Sequence, residues 1–269
     1  MSEHRYMHSN MKDEVELGRL RLQAGIYDPV TIRRLETIGV AEGWKCLEVG
    51  AGAGSVAQWL SQRVGPTGRV VATDIDTRFL QRMGAPNLEI RRHDILKDDL
   101  EKDEYDLVQC RLLLMHLPEP EKAVKRMADA VRPGGWLFIE DTDYGSTLSN
   151  DVTDPTGVLF STTSRAFYDS LRKRGVLDPY VGRRLRSLVE QLGFVDIGQD
   201  GWTRMYRGGE PAMRNWIEAY ELAGNLMIAA GCITQEELDR FPHAFSDPAF
   251  NWIGPIMFGA WGRRPVQVT

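Results

Sequence analysis

The stretch Trp44-Lys45-Cys46-Leu47-Glu48-Val49-Gly50-Ala51-Gly52-Ala53-Gly54 decides the fold. Trp44 to Val49 is a short apolar run with one acid near its end, and it stops in three glycines at alternate positions. The next ten residues, Ser55 to Val64, have helical period. A strand that turns through glycines into a helix marks the carboxyl edge of an open α/β sheet, where ligands bind. Glycines let the backbone turn tightly and approach a ligand closely.

The pattern repeats downstream. Arg69 to Thr73 is a β-branched run ending at Asp74, and Thr77 to Met83 reads as a short helix. Leu88 to Arg92 and Tyr105 to Cys110 read as strands. Glu119 to Val131 is amphipathic and closes at Pro133-Gly134-Gly135, and Trp136 to Glu140 is a fifth strand. Five strands interleaved with helices imply a mostly parallel sheet. Upstream, Asp13 to Gly25 reads as one helix stopped by glycine. Asp28-Pro29 reads as the start of a second that ends at Gly39.

Beyond Asp141 the pattern loosens. Asp141 to Pro179 is rich in Thr, Ser, Asp and Gly, with an amphipathic stretch near Ser164 to Lys173. Arg183 to Leu192 is expected to be helical, Phe194 to Tyr206 extended, Pro211 to Gly231 helical and Trp252 to Trp261 a terminal strand. Thr234 with Glu237 three residues on forms a capping-box pattern.

The ligand is constrained by what surrounds the glycines. A dinucleotide fingerprint, G-x-G-x-x-G, would need its third glycine at Ser55. Glu48 beside the loop would also repel a pyrophosphate. A phosphate-free, positively charged ligand suits that acid, and S-adenosylmethionine carries a sulfonium and an ammonium without phosphate. Asp74 stands 24 residues after Gly50, where an acid can accept from both ribose hydroxyls. Asp94, ending the third strand, can accept from an adenine amino group. Cys110-Arg111, ending the fourth, can offer backbone groups to the methionine end.

These pieces together resemble a class I S-adenosylmethionine-dependent methyltransferase of the small-molecule type, similar to ubiquinone/menaquinone C-methyltransferases. The matching segments are L-E-V-G-A-G-A-G, V-V-A-T-D-I-D, R-H-D-I-L, Y-D-L-V-Q-C-R-L-L-L-M-H-L-P-E-P-E and V-R-P-G-G-W-L-F-I-E-D, within residues 44 to 141. The resemblance implies an α/β, Rossmann-like sheet of seven strands, mostly parallel with the last antiparallel. Helices would cover both faces, with helical lid additions. It implies one domain over 1–269, with an N-terminal lid in 1–40 and a cofactor half in 41–142. Substrate-cap insertions would occupy 143–180 and 207–250, and the last strands 181–206 and 251–263. Carried over by position, Glu48, Gly50, Gly52 and Gly54 would meet the methionine portion and Asp74 the ribose. Asp94 and Ile95 would meet the adenine, Cys110 and Arg111 the methionine end, Ile75 the cofactor beside Asp74, and Gln23 and Tyr27 the cofactor from the lid. His116, Asp143 and Tyr144 are the candidate bases, should the acceptor need to lose a proton. S-adenosylhomocysteine would be the product.

Composition narrows the class without naming it. The chain has 269 residues and a net charge of -5, which disfavours general nucleic-acid binding. The cluster Arg172, Lys173, Arg174, Arg183, Arg184 and Arg186 reads mainly as a solvated helical face. The three cysteines, Cys46, Cys110 and Cys232, are far apart, with no metal spacing, and suit a reducing compartment. No apolar run approaches a membrane span, and Met1 to Met11 lacks an apolar core for a signal peptide. The expectation is a cytoplasmic enzyme, monomer or homodimer, with no metal, acting on a small molecule. Met213, Trp216, Met227, Trp252, Met257 and Trp261 could line an apolar or aromatic acceptor pocket or simply pack. The alternatives are a cofactor-binding protein of this fold without methyl transfer (a cyclase, isomerase or regulatory module) and, less favoured, an RNA or protein methyltransferase.

Overall fold

The computed structural model describes residues 13–211 and 213–266, so the reading of Met1 to Met11 lies outside the described residues. In chain order the main elements are α1 (Asp13–Ile38), β1 (Lys45–Val49), α2 (Ser55–Val64), β2 (Arg69–Asp74), β3 (Leu88–Arg92), β4 (Tyr105–Arg111), α3 (Pro120–Ala130) and β5 (Val131–Asp143). There follow β6 (Leu148–Ser149), α4 (Pro155–Lys173), α5 (Leu185–Gln191), β7 (Val195–Trp202), β8 (Met205–Arg207), α6 (Met213–Ala229), α7 (Gln235–Leu238), α8 (Phe241–Ser246), β9 (Asn251–Ile253) and β10 (Ile256–Arg263).

The chain divides into two compact units. The first comprises the described residues through Asp141, Val181–Asp200 and those from Phe258 onward. It is built on a seven-stranded sheet in the order β3-β2-β1-β4-β5-β10-β7. Strands β3, β2, β1, β4 and β5 are mutually parallel. Gly134 N donates to Arg264 O and Arg264 N to Gly135 O, which joins the start of β5 to the end of β10 and makes that pair antiparallel. The order reverses at β1, where Val49 pairs with Thr73 on one side and Cys110 on the other. Such a reversal opens a crevice at the strand ends, and the glycine loop lies there.

The sequence expects two helices between Asp13 and β1, and over those described residues the structure has one. Helix α1 runs through both Gly25 and Pro29. Proline in a helix removes a backbone donor and crowds the carbonyl four residues back. Here Val30, Leu35 and Ile38 are buried on the core side, and that packing outweighs the local penalty. The helix expected over Thr77 to Met83 is only a 3-10 turn at Leu80–Arg82. Asp74 and Asp76 side chains accept from the Asp76 and Arg78 amides, tying the preceding backbone into turns.

The second unit comprises Thr142–Tyr180 and Gly201–Met257. A small antiparallel sheet, β6-β9-β8, pairs Leu148 and Met205 with Ile253, and Ser149 and Tyr206 with Trp252. Around Trp252 a core forms from Phe160, Tyr206, Phe241, Phe245 and Phe250 with Met213 and Met227. Phe160 makes ring contacts with Tyr220, Phe241, Phe245, Phe250 and Trp252. Asp154 caps α4 by accepting from Gly157 N at 2.7 Å, with Pro155 in the first turn. That signal extends the helix well upstream of the stretch expected at Ser164. The extended run 194–206 divides between β7 and β8, which join different sheets. The terminal run divides at Gly254-Pro255, where Gly254 N donates to Arg204 O and proline has no donor.

Candidate cofactor site

The three loop glycines have left-handed backbone, with φ of 73°, 57° and 82° at Gly50, Gly52 and Gly54. Gly50 N and Ala51 N donate to Thr73 O at 2.8 and 2.9 Å, so the loop hangs from the end of β2. At Gly54 a Cβ would collide with the Met83 sulfur and approach Leu80 at 2.9 Å, so both conformation and space require glycine. Gly52 N donates to Asp74 Oδ2 at 2.8 Å and Asp76 N to Asp74 Oδ1 at 3.0 Å. Asp74 is therefore fixed across the loop mouth. Burial raises its pKa, and the bonds from Asp76 and Gly52 partly offset that rise.

Glu48 is 4% exposed, and its Oε2 has no hydrogen-bond partner. Desolvation drives its pKa from the ordinary 4.5 to about 8, against the lowering influence of Arg111 and Gln109. An isolated buried carboxylate is costly unless paired with a cation. Arg111 does not close this gap. Its guanidinium binds Asp28 at 2.8 Å, Thr31 Oγ1 at 3.0 Å and Ser55 Oγ at 3.4 Å.

Those contacts begin a buried polar chain along α1. Thr31 Oγ1 donates to Glu140 Oε2 at 2.7 Å, and Arg34 Nη1 donates to Glu140 Oε1 at 2.6 Å. Arg34 Nε also donates to Asp200 at 2.5 Å. Desolvation raises the Glu140 pKa, countered by Arg34, Arg111 and Thr31. Helix α1 is thus clipped to β4, β5 and β7, and its Leu20 lies against Gly52. Gln23 and Tyr27 lie on the same helix, with Tyr27 buried.

On the other side of the loop, Asp94 accepts from Leu96 N and Lys97 Nζ, each at 3.0 Å. Burial would raise its pKa, but Lys97 and the Leu96 amide outweigh that and hold it below the ordinary value. Ile95 is buried, whereas Ile75, directly after Asp74, is 51% exposed. Cys110 is fully buried and burial pushes its thiol well up, so only its backbone remains to meet a ligand. Leu112, two residues on, has a left-handed φ of 53° and donates from N to Glu140 O.

The three candidate bases fall in different settings. His116 ends a 3-10 turn, Leu114–His116, which Asp141 fixes by accepting from Met115 N at 3.0 Å. Asp143 caps the next turn by accepting from Gly145 N at 2.8 Å. Tyr144 stacks on Tyr168 with centroids 4.4 Å apart. His116 belongs to the first unit, Asp143 and Tyr144 to the second. The Met and Trp residues weighed as a possible pocket are core: Met213, Met227, Trp252 and Met257 are buried, and Trp216 packs on that core. Trp261 sits edge-on to Phe138 in the first unit. Among the described residues no group of three His, Cys, Asp or Glu side chains could hold a metal, and no helix is long and apolar enough to cross a membrane.

Thr31, Arg34, Gln109 and Glu140 organise this region without having been picked out from the sequence. Gln109 and Glu140 were visible as polar residues inside otherwise apolar strands. That interruption was the available signal.

Sheet order, loop and fixed acid define a class I methyltransferase fold, whose cofactor is S-adenosylmethionine. A family model described as a methyltransferase domain matches residues 5–199, and the chain belongs to that family. It is similar to methyltransferase str2 of Strobilurus tenacellus, 30% identical over 181 residues, covering 66% of this chain and 63% of that protein. It is also similar to the ubiquinone/menaquinone biosynthesis C-methyltransferase UbiE of Pseudomonas putida (strain GB-1), 32% identical over 113 residues, 39% of this chain and 44% of that one. The chain thus covers less than two thirds of either relative. A solved structure of Haemonchus contortus phosphoethanolamine N-methyltransferase 2, in complex with phosphomonomethylethanolamine and S-adenosylhomocysteine, shares the fold. Its TM-score is 0.61 at 14% identity, covering 99% of this chain and 61% of that one.

Proposed function

We propose that the chain transfers a methyl group from S-adenosylmethionine to a small-molecule acceptor. The observation that carries the reading is Glu48 Oε2, a buried carboxylate oxygen without a partner beside a glycine cradle. A phosphate-free cation answers that demand, and a pyrophosphate would worsen it. When bound, the cofactor supplies an electrophilic methyl on a sulfonium.

The chain's own residues would bind, orient and exclude water. Glu48, with the backbone of Gly50, Gly52 and Cys110, would hold the methionine portion. Gly54 would keep the turn into α2 tight. Asp74, already aligned by two amides, would hold the ribose hydroxyls. Ile75, Ile95 and Asp94 would hold the adenine. Gln23 and Tyr27 would cover the cofactor from α1. The network of Arg111 with Asp28, Thr31 and Ser55 would set the position of α1 rather than touch ligand. His116 is the proposed base where an acceptor must lose a proton. Asp143, whose Oδ1 accepts from Gly145 N, and Tyr144, stacked on Tyr168, are the other candidates for that role.

The second unit would supply acceptor recognition, in keeping with the cap insertions 143–180 and 207–250. Leu148 and Met205, both opposite Ile253 in the small sheet, are exposed apolar side chains in that region. They support an apolar or aromatic acceptor. A small molecule rather than nucleic acid is supported by the net charge of -5. It is also supported by the pairing of Arg172, Arg184 and Arg186 with Asp178, Glu121 and Glu190.

The test is mass spectrometry on a panel of small phenols, quinols and amines incubated with the protein and the cofactor. Methyl transfer adds one methylene to the acceptor and releases S-adenosylhomocysteine. A substrate consumed with no gain in mass would replace this reading with the cyclase or isomerase one.

A further inference from the structure

Gln109 carries an unmet demand of its own. Strands β1 and β4 are parallel with Glu48 directly opposite Gln109, so both side chains leave the sheet on one face. On the other side Gln109 pairs with Phe138 of β5. Its side chain is fully buried, and neither Oε1 nor Nε2 has a hydrogen-bond partner. Its amide lies close enough to Glu48 to act on that acid as a hydrogen-bonding neighbour and lower its pKa, yet the pair falls outside strict hydrogen-bond geometry and leaves both amide atoms without a full partner. Buried amides in folded proteins are nearly always paired, because an unpaired one is destabilising.

The shape of the deficit identifies what is missing. With Glu48 ionised, the state a bound cation favours, Glu48 Oε2 and Gln109 Oε1 are both acceptors, and Gln109 Nε2 is a donor. If the amide turned to give Nε2 to Glu48, Oε1 would still need a donor. The remaining charged groups that act on Glu48 are Arg111, Asp28 and Asp74. Arg111 is engaged by Asp28, Thr31 and Ser55, and Asp74 by two backbone amides. A ligand with several N–H donors on a cation, next to an acceptor of its own, satisfies all three atoms. An α-amino-acid zwitterion has that composition.

We propose that Gln109 is a binding residue for the amino-acid end of the cofactor, its Oε1 accepting from the ammonium shared with Glu48 and its Nε2 donating to the carboxylate. This rests on the methyltransferase reading above. A residue kept only for packing would be served better by leucine, which fills similar volume without polar atoms.

The experiment is isothermal titration of wild type and Gln109→Leu with two ligands. S-adenosylhomocysteine carries the amino-acid end, and 5′-methylthioadenosine is a nucleoside thioether without it. Wild type binds the former. Gln109→Leu is expected to weaken S-adenosylhomocysteine roughly 10- to 100-fold, the loss of hydrogen bonds to charged groups. It should leave methylthioadenosine within about twofold. The ligand-free variant is expected to melt at the same temperature or higher. Gln109→Met, which bends more readily into the same space, should repeat the result if leucine disturbs folding. Unchanged S-adenosylhomocysteine binding, or an equal loss of both ligands, overturns the role of Gln109 alone. A wild type that binds no S-adenosylhomocysteine overturns the methyltransferase reading and this inference with it.

Discussion

The glycine-loop region of the first unit and the aromatic core of the second are organised on opposite principles. Around the loop, backbone amides and carboxylates set the geometry, three glycines adopt left-handed φ, and polar atoms at Glu48 and Gln109 remain unmatched. Around Phe160, five ring contacts fill the space and the Ser164 hydroxyl meets the Tyr220 hydroxyl at 2.5 Å. The first region is arranged around a demand for a ligand. The second is closed on itself, with its rings packed against one another. Features that a backbone turn imposes occupy fixed positions, while a ring cluster can be assembled from many sequences.

The largest expected difference between the two regions is in stability. Phe160→Ala is expected to cost about 3–5 kcal/mol, read by urea denaturation, while S-adenosylhomocysteine affinity changes less than about threefold. A parallel collapse of binding would show that the regions are not separable. The next largest effect is in binding. Asp74→Ala removes the acceptor for the Gly52 and Asp76 amides and for the ribose, and should weaken S-adenosylhomocysteine by about 100-fold. Gly52→Val, forced into left-handed φ, should match or exceed it. Both should leave the aromatic core intact by near-ultraviolet circular dichroism.

A smaller effect is the pH response. Glu48 is raised from 4.5 to about 8 in the ligand-free chain, chiefly by desolvation. Its folded form therefore holds a proton that the unfolded form has lost, and ligand-free stability should fall as pH rises from 4.5 towards about 8. An ammonium ligand prefers the ionised acid, so affinity should rise about tenfold per pH unit below that value. Ligand titration and ligand-free urea denaturation at pH 6, 7 and 8, with Glu48→Gln as control, check the two signs, and a flat affinity profile in wild type would remove Glu48 from the site. The smallest effect is expected at the surface. Arg186→Ala breaks an exposed pair with Glu190 and should change stability by less than about 0.5 kcal/mol.

The five strands from β1 to β5 and the glycine loop were legible because hydrophobic runs and glycines carry their geometry locally. Glu48 and Asp74 were legible by position relative to that loop. Helix α1 was misread as two helices because Gly25 and Pro29 are local stop signals, and long-range contacts from Thr31 and Arg34 to Glu140 override them. Arg111 was placed at the methionine end by position, and the structure engages it with Asp28. That partner is 83 residues away in sequence, beyond any local pattern. The second unit was barely legible, apart from its capping box at Thr234 and Glu237, which forms as expected. Its small sheet takes strands from three distant places, and two-residue β6 has no readable period.

A loop that serves a cationic, phosphate-free adenosyl cofactor should tell that ligand from a dinucleotide. Thermal denaturation with S-adenosylhomocysteine or with NAD tests it most directly. At 100 times its dissociation constant the former should add about 2.7 kcal/mol of stability, and NAD should add none. Stabilisation by NAD with no response to S-adenosylhomocysteine would contradict the account.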